Sequence, residues 1–235
     1  MACLPMSEAG GSLGAGRETR VAVPPNAGAE PLLVTDLAPG PRGKQRVFIG
    51  GTFAFVLYIG EVRHYGLAAG GVMSAETYRE IIGTVLPSRA RSRAFHLLAK
   101  RRYTETELRR KLTQGEYPGD IIEMTLEYLK TRGFIDDGQY AHDYIDYHLH
   151  ERSHKQLLHD LDVKGIAREI TDVIYSELSG GGGEDIETRQ IRQWLEKKNF
   201  HKNKADFREK QRIFAFLCRR GFEIETIKRV LLLDI

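Results

Sequence analysis

Apolar residues recur along the chain with two different periods. Between residues 46 and 59 they alternate with smaller residues, and the pair Gly50-Gly51 interrupts the alternation. Alternation is typical of β-strands, and a glycine pair supplies the positive φ angles that a tight hairpin turn needs. The pattern predicts a β-hairpin, followed by a short helix that carries Tyr78 and Ile81 on its apolar side and ends at Pro87.

From Arg89 onward the apolar spacing is helical. Three segments begin with a capping box, in which the first side chain accepts a hydrogen bond from a backbone N–H three residues later and a Glu or Gln there bonds back. These boxes are Thr104–Glu107, Ser153–Gln156 and Asp206–Glu209. One apolar stripe precedes each box, a second follows it, and a glycine then leads into a third. The glycines are Gly115, Gly165 and Gly221.

The boxes lie 49 and 53 residues apart, which indicates a three-helix unit repeated three times. The hexapeptides LDVKGI at 161–166 and LCRRGF at 217–222 are the same corner, between the second and third helices of two successive units. One unit of this size buries little apolar surface, so tandem copies are expected to stack. The predicted segments are the hairpin with its short helix at 44–87, repeats at 88–135, 136–179 and 185–235, and a glycine linker at 180–184.

The beginning of the chain differs in composition from the rest. Six of the eight prolines lie in the first 41 residues, which are rich in Gly and Ala and lack apolar periodicity. Such a segment cannot bury enough surface to offset its conformational entropy, so residues 1–43 are predicted to form a disordered arm. No secretory signal and no membrane span of ~20 apolar residues is evident, and Cys3 and Cys218 indicate no disulfide framework. These features predict a cytoplasmic protein.

Charge changes the picture through its distribution rather than its sum. The net charge is only +3, but the segment from Arg89 to Lys111 contains nine Lys or Arg and only two acidic residues. The segment from Lys197 to Arg212 contains seven Lys or Arg and two acidic residues. Ordinary solvated helix faces mix signs, whereas a surface with so few acids favours a polyanion or an acidic partner. The alternative, a merely solvated face, stays open.

Candidate chemistry is sparse. The chain has no phosphate-binding Gly-x-x-x-x-Gly-Lys loop. Its Gly-x-Ser-x-Gly sequence at residues 10–14 lies in the arm predicted to be disordered rather than between a strand and a helix, so neither a catalytic residue nor a cofactor is predicted. His150 and His154 have a spacing that could chelate a metal on a helix, but no carboxylate completes a recognised ligand set, and a His-rich polar face is favoured. Asp136-Asp137 directly precedes a helix, where a capping role explains the pair.

With the repeats established, the sequence resembles the bacterial RecX family of regulators of the RecA recombinase, over about residues 46–233. The segments that carry the resemblance are ARSRAFHLLAKRRYTETELRRKL at 90–112, LEYLKTRGFIDDGQYAHDYI at 126–145, LDVKGI at 161–166 and FLCRRGFEIETIKRVL at 216–231. Each is weak alone, and their order makes the set specific. The hairpin and the segment YGLAAGGVMS at 65–74 look like the extra region of a subset of the family.

The resemblance implies a mainly α protein whose three repeats form an elongated, curved array. It implies a monomeric, non-enzymatic modulator, mainly an inhibitor, that lies along the groove of the RecA–DNA filament and suppresses ATP hydrolysis and strand exchange in recombination, DNA repair and the SOS response. DNA, single- or double-stranded, would bind more weakly and with salt sensitivity. The basic surface implied is Arg91, Arg93, Lys100, Arg101, Arg102, Arg109, Arg110, Lys111, Lys155, Lys164, Arg168, Lys210, Arg212, Arg219, Arg220, Lys228 and Arg229.

One segment departs from the family pattern. Before the KGI corner the family often has a glycine and two or three basic residues, whereas this chain has Ser153, His154, Lys155 and Gln156. The middle repeat is therefore less cationic at neutral pH, unless His154 and His159 gain a proton near a polyanion. That hypothesis predicts binding that weakens as pH rises.

Two alternative functions stay open. Two helices joined by a glycine corner imitate the helix-turn-helix of a transcription regulator, although the helices after Gly165 and Gly221 begin IAREI and FEIETI, with few groups that read base edges. A general helical interaction scaffold is the other alternative, and it would show no salt-sensitive binding to DNA or recombinase.

Overall fold

The computed structural model describes residues 31–40, 42–180, 183–201 and 205–232. The chain divides into two compact units, Met1–Arg79 and Glu80–Ile235. Most of the arm predicted to be disordered lies outside the described residues.

The first unit contains a four-stranded antiparallel sheet. Its strands are β1 (Leu32–Pro39), β2 (Lys44–Ile49), β3 (Thr52–Tyr58) and β4 (Val72–Met73), in the order β3-β2-β1-β4. The predicted hairpin is β2–β3, and Gly50 and Gly51 have the positive φ angles, 57° and 80°, that its turn requires. Helices α1 (Ile59–His64) and α2 (Ala75–Glu80) follow β3 and β4 respectively.

The prediction of a disordered arm at 1–43 was wrong for Leu32–Pro39, which is strand β1. Val34 is almost fully buried and pairs with Ile49 of β2, and Leu33 pairs with Val72 of β4. The alternation in this strand is short and flanked by prolines, so no local signal separates it from the preceding segment. Its stability comes from two partner strands later in the chain, which composition alone cannot reveal.

The predicted end of the helix at Pro87 was also wrong. Helical residues run without a break from Ala75 to Leu98, through a π-helical turn at Ile81–Val85 into α3 (Leu86–Leu98). A proline inside an α-helix lacks an N–H and clashes with the carbonyl four residues earlier. Here the Leu86 N–H bonds to the Ile81 carbonyl, five residues back, and this wider turn accommodates Pro87.

The second unit contains the three predicted three-helix repeats. The first is α3, α4 (Glu105–Thr113) and α5 (Gly119–Thr131); the second is α6 (Asp137–His148), α7 (His154–Val163) and α8 (Arg168–Leu178); the third is α9 (Gly183–Lys197), α10 (Phe207–Arg219) and α11 (Ile224–Leu231). Each repeat has its own apolar core, with the fully buried Leu112, Leu161 and Leu217 in the last turns of the three second helices. The predicted mainly helical fold is confirmed.

The predicted helix caps are present. Thr104 and Ser153 form complete capping boxes with Glu107 and Gln156, and Asp136 caps α6 by accepting from the Gln139 N–H at 2.8 Å. Asp206 caps α10 by accepting from the Glu209 N–H at 2.7 Å. The start of each second helix is therefore fixed by residues next to it in sequence.

The two hydroxyl caps also join successive repeats. The Thr104 hydroxyl donates to the Lys164 carbonyl at 2.7 Å, and the Ser153 hydroxyl donates to the Arg220 carbonyl at the same distance. Both carbonyls directly precede the glycine of the next repeat's corner. We call these two contacts the first and second joints; both caps are completely buried in them.

The corner glycines are necessary for the joints as well as for the turns. Gly165 and Gly221 have φ angles of 81° and 82°, a region that favours glycine. A Cβ atom on Gly165 would overlap the Thr106 side chain, and one on Gly221 would lie 2.9 Å from the Ser153 hydroxyl and 3.1 Å from Lys155 Cβ. The repeated phrase of the sequence is thus a helix corner that packs against the preceding repeat.

The predicted linker at 180–184 is partly helical. Gly180 ends α8 with a φ of 71°, α9 begins at Gly183, and residues 181–182 lie outside the described ranges. Beyond this segment the buried Gln190 amide of α9 donates to the carbonyls of Leu149 and Arg152, the latter at 3.0 Å. Repeats two and three are therefore in direct contact across a network of backbone and amide bonds.

Candidate polyanion-binding site

A cleft with a volume of about 930 Å³ lies between the second and third repeats. Its walls come from the start of α7, the end of α9 and the α10–α11 corner, and they include Arg220, whose carbonyl takes part in the second joint. We call it the joint cleft. Its basic side chains are Arg152, Lys155, Lys197, Arg219 and Arg220, and its acids are Glu151 and Asp160.

The cations of the joint cleft outnumber its available carboxylates. Arg152 forms an ion pair with Asp160, whose carboxylate also accepts from the Tyr144 hydroxyl at 3.3 Å. That pair neutralises itself and leaves Lys155, Lys197, Arg219 and Arg220 opposite Glu151 alone. Within the described ranges neither Lys155 nor Arg219 forms an ion pair, and both are exposed. An anion entering this cleft therefore meets an excess of positive charge.

The joint orients one of these cations through its backbone and its side chain together. The Arg220 carbonyl is held by Ser153, and its guanidinium carbon lies 3.9 Å from the centroid of the Trp194 indole. Lys197 Nζ lies 5.1 Å from the same ring, and Phe216 contacts it edge-on at 5.6 Å. Cations over an indole are attracted to its negative face, which restricts Arg220 before any ligand arrives.

The first repeat carries a second group of uncompensated cations. Arg93 lies on the exposed side of α3, Lys100 follows the end of that helix, and Arg110 and Lys111 lie on α4. In the part of the chain that the structure describes, none of these four forms an ion pair. We call them the repeat 1 cations.

Other residues of the predicted basic surface are neutralised where they lie. Arg101 bonds to Glu107, Arg102 pairs with Asp143, and Arg109 pairs with Glu105 at 2.7 Å and with Glu123. Lys164 Nζ lies 3.6 Å from Glu107, and Lys228 Nζ lies 3.5 Å from Glu225. These side chains are paired with carboxylates, so they contribute less free charge than their sequence positions suggest.

The remaining predicted residues are scattered. Arg91 stacks on Tyr128 at 5.5 Å, and Arg229 donates to the Thr188 hydroxyl at 3.4 Å. Arg168 and Arg212 are exposed and Lys210 is half-buried, on α8 and α10. Of the full predicted set, the structure brings three members together in the joint cleft: Lys155, Arg219 and Arg220.

A buried carboxylate stands at the first joint. Burial of Glu107 opposes its ionisation, but the hydrogen bond from Arg101, the charge of Lys164 and the Thr104 N–H outweigh that penalty, so its pKa lies below the usual value. For Lys164, burial opposes the charged form, while the Tyr140 hydroxyl and Glu107 raise its pKa overall. The pair is ionised at neutral pH and links the two repeats.

Sequence reasoning missed two residues of the joint cleft that matter to its chemistry. Trp194 and Lys197 lie on α9, and only the period of the repeat places that helix beside the corner of the same unit. Trp194 is the sole tryptophan of the chain, and Lys197 begins the second basic stretch. Those two signals were available but did not indicate a cleft.

The histidines do not form the arrangement considered from their spacing. His148 ends α6 and His154 begins α7, so His150 lies in the loop between them rather than one turn from His154 on a helix. His154 instead stacks on Tyr175 at 4.1 Å, with Nε2 2.8 Å from Asp172 Oδ1. Among the described residues no group of three or more His, Cys, Asp or Glu is placed to hold a metal ion. His150 and His159 line the joint cleft.

Comparison with known proteins follows the repeat boundaries. Residues 90–129 match the family model described as "RecX, first three-helix domain", and residues 185–231 match "RecX, third three-helix domain". The chain belongs to the RecX family. The matched domains coincide with the first and third repeats of the structure, and α6–α8 occupy the place of the middle domain between them.

Curated RecX relatives extend the likeness over most of the chain. A protein of Lacticaseibacillus paracasei named "Regulatory protein RecX" is 29% identical over 189 residues, 80% of this chain and 78% of that protein. One of the same name from Clostridium acetobutylicum is 28% identical over 201 residues, 84% of this chain and 94% of that protein. The relatives are thus regulatory proteins by name.

Two solved structures share the fold. A structure of regulatory protein RecX covers 85% of this chain and 98% of its own with a TM-score of 0.56 at 18% identity. RecX from Lactobacillus salivarius covers 63% of this chain and 95% of its own with a TM-score of 0.53 at 18% identity. Across the described residues, every helix is too short or too polar to cross a membrane.

Proposed function

We propose that this chain is a non-enzymatic regulator, mainly an inhibitor, of a RecA-type recombinase in the cytoplasm. It binds along the groove of the recombinase–DNA filament and suppresses ATP hydrolysis and strand exchange, and so acts in recombination, DNA repair and the SOS response. The observation that carries the proposal is the order of RecX domains along the chain, joined with cation-rich surfaces in the first repeat and in the joint cleft.

The joints support this mode of action. A filament presents the same surface at each subunit, and several weak contacts on one rigid protein raise the effective concentration of each for the next. The repeat 1 cations and the joint cleft lie on repeats that are connected by the two hydroxyl–carbonyl bonds and by Gln190. Binding at one region therefore costs little additional ordering at the other.

The charge pattern also supports a polyanionic or acidic partner over a neutral one. The repeat 1 cations and the four uncompensated cations of the joint cleft gain most from phosphates or carboxylates, because each contact releases counterions or neutralises a charge. By contrast, the exposed positions near the start of α8 are Arg168, Glu169, Ile170, Asp172 and Val173, of which only Arg168 has a side chain that commonly reads base edges. The pattern is unfavourable to a sequence-specific helix-turn-helix regulator.

The test is ATP turnover by the host recombinase on single-stranded DNA as increasing amounts of the protein are added. Turnover should fall with protein concentration, and the inhibition should weaken as salt is raised. A protein in which Arg93, Lys100, Arg110 and Lys111 are all replaced by Glu should inhibit at least about tenfold less well.

A matched control keeps the number of reversed charges but moves them. Arg63, Arg79, Arg189 and Arg192 are exposed cations outside both surfaces, and their replacement by Glu should leave inhibition within about twofold. If the wild-type protein leaves turnover unchanged at a large molar excess, the proposed inhibition is wrong. Far-ultraviolet circular dichroism checks that both variants keep their helices.

A further inference from the structure

We infer that the joint cleft binds single-stranded nucleic acid directly, with phosphates on Lys155 and Arg219 and a base against the Arg220–Trp194 pair. This deepens the proposed function, because it names the DNA strand as the component of the recombinase–DNA filament that the cleft binds. It rests on the proposed function only in the expectation that the partner contains nucleic acid. The inference rests on three features that occur together in this cleft: unpaired cations, an aromatic ring, and a wall that is held in place by the second joint.

The cations are placed for a chain of phosphates rather than for one anion. Lys155 lies on α7 and Arg219 on α10, so the charge comes from two repeats that face each other across the cleft. Lys197 adds a third cation from α9. Because Asp160 is occupied by Arg152, the remaining acid, Glu151, cannot neutralise them. Phosphates at successive nucleotides are the ligand that uses cations on several walls.

The aromatic group favours an exposed base over a protein carboxylate. Trp194 is half-buried in the wall, and Arg220 lies 3.9 Å from its ring centroid. Single-strand binders stack bases on aromatic rings and on arginine planes that a basic groove holds next to the backbone. In a duplex the bases are already stacked and paired, so a duplex can use the cations but not this surface.

The wall is fixed before a ligand arrives. Ser153 holds the Arg220 carbonyl, and Gly221 lets the corner approach Lys155. The volume of about 930 Å³ lies within the ~300–1,000 Å³ of typical ligand clefts, which is consistent with a few ordered groups of a strand passing through. A preformed cleft of this kind loses little entropy on binding.

The experiment uses the fluorescence of Trp194, because it is the only tryptophan of the chain. The full-length protein without recombinase is titrated with oligodeoxythymidylate, and a second measurement follows the anisotropy of a labelled copy of the same oligonucleotide. We expect quenching of Trp194 that saturates together with the anisotropy. A duplex of the same length, thymidine monophosphate at equal nucleotide concentration, and polyglutamate should each quench far less.

Two double variants locate the site. Replacing Lys155 and Arg219 by Glu should weaken oligonucleotide affinity at least about tenfold and make the log–log salt slope shallower by about 1.4, at about 0.7 for each lost phosphate contact. Replacing Arg63 and Arg79, which are exposed and lie outside both cationic surfaces, by Glu changes the same charge and should leave the quenching intact. Thermal melting checks that both variants fold.

Several outcomes would overturn the inference. They are the absence of quenching during binding, equal quenching by duplex, by thymidine monophosphate or by polyglutamate, and loss of quenching in the Arg63 and Arg79 variant but not in the cleft variant. Because no recombinase is present, a negative result leaves the proposed regulation untouched. Equally, a protein that binds oligonucleotide but never slows the recombinase would keep the cleft and refute the proposed function.

Discussion

The Ser153 hydroxyl donates a 2.7 Å hydrogen bond to the carbonyl of Arg220, 67 residues later in the chain. The same hydroxyl accepts from the Gln156 N–H and so caps α7. Thr104 does the same at the first joint, with Glu107 and Lys164 as its partners. One oxygen thus begins a helix and attaches the next repeat, which only a residue that can both accept and donate achieves.

Substitutions at Ser153 should separate these two roles. Ser153→Thr keeps both and should be close to wild type in stability, whereas Ser153→Ala loses both and should cost about 1–3 kcal/mol. Ser153→Asp retains a capping oxygen but sets a carboxylate against the Arg220 carbonyl, so we expect it to be at least as destabilising as Ala. Urea unfolding measures all three. An Asp variant as stable as wild type would show that the donated bond contributes little.

The joint glycines should be less tolerant than a glycine of similar backbone conformation. Gly165, Gly221 and Gly180 have φ angles of 81°, 82° and 71°, but only Gly180 has open space where a Cβ atom would be. Gly180→Ala should cost about 1–2 kcal/mol, from backbone strain alone. Gly165→Ala should cost clearly more, because Thr106 must also move.

A second substitution distinguishes steric contact from strain. Replacing Thr106 by Gly in the Gly165→Ala protein removes the overlapping atoms and should recover part of the lost stability relative to Thr106→Gly alone. Thermal or urea unfolding of the four proteins completes the cycle. Strictly additive effects would indicate that Thr106 does not restrict the corner.

Acid should weaken the first joint through Glu107. Its pKa is lowered in the folded protein from an ordinary value of 4.5, so its ionised form stabilises the fold above that pH. The contribution is lost as pH falls below 4.5 and through the lower folded pKa. Glu107→Gln should cost about 1–3 kcal/mol at pH 7 and show a smaller loss of stability than wild type on acidification.

Urea midpoints at neutral pH and at several pH values below 4.5 test this expectation. Glu105 also has a lowered pKa, because Lys130 and Arg109 outweigh the burial that opposes its ionisation, so the variant should retain some acid sensitivity. Parallel curves for wild type and Glu107→Gln would exclude Glu107 as a source of it.

Paired and unpaired cations of the first repeat should behave differently. Replacing Arg101 by Ala leaves the buried Glu107 with one fewer partner and should lower stability by about 2 kcal/mol. Replacing Arg110 by Ala removes no described ion pair and should change stability by less than about 0.5 kcal/mol. Thermal unfolding measures both. Relative to the stability that each variant loses, Arg110→Ala should weaken recombinase inhibition more than Arg101→Ala. Equal destabilisation by the two would contradict the assignment.

Much of the helical fold could be predicted because its signals are local. Each capping box occupies four consecutive residues, and the corner glycine follows within about twelve residues. The signals for the start and the end of a helix are therefore close together in the sequence. The period of the boxes then gave the number of repeats. The family resemblance is confirmed by the family models that match residues 90–129 and 185–231.

The rest depends on partners that are distant in sequence. Strand β1 exists because β2 and β4 flank it, and Pro87 stays helical because a π turn precedes it. The basic surface changed for the same reason: Arg102 is paired with Asp143, 41 residues away, and no local pattern reveals that contact. Conversely Trp194 meets Arg220 only because α9 packs beside α11.

The Asp206 cap has a consequence for how many modules can be locked together in this way. A carboxylate at that position accepts the Glu209 N–H as a hydroxyl would, but when ionised it has no hydrogen to offer to an incoming carbonyl. Of the three side chains that open the boxes, the hydroxyls of Thr104 and Ser153 donate to a carbonyl of the next repeat. An ionised carboxylate at Asp206 has no hydrogen to donate. The ionised Asp206 side chain therefore caps its helix but cannot form the hydroxyl–carbonyl bond by which Thr104 and Ser153 attach the next repeat.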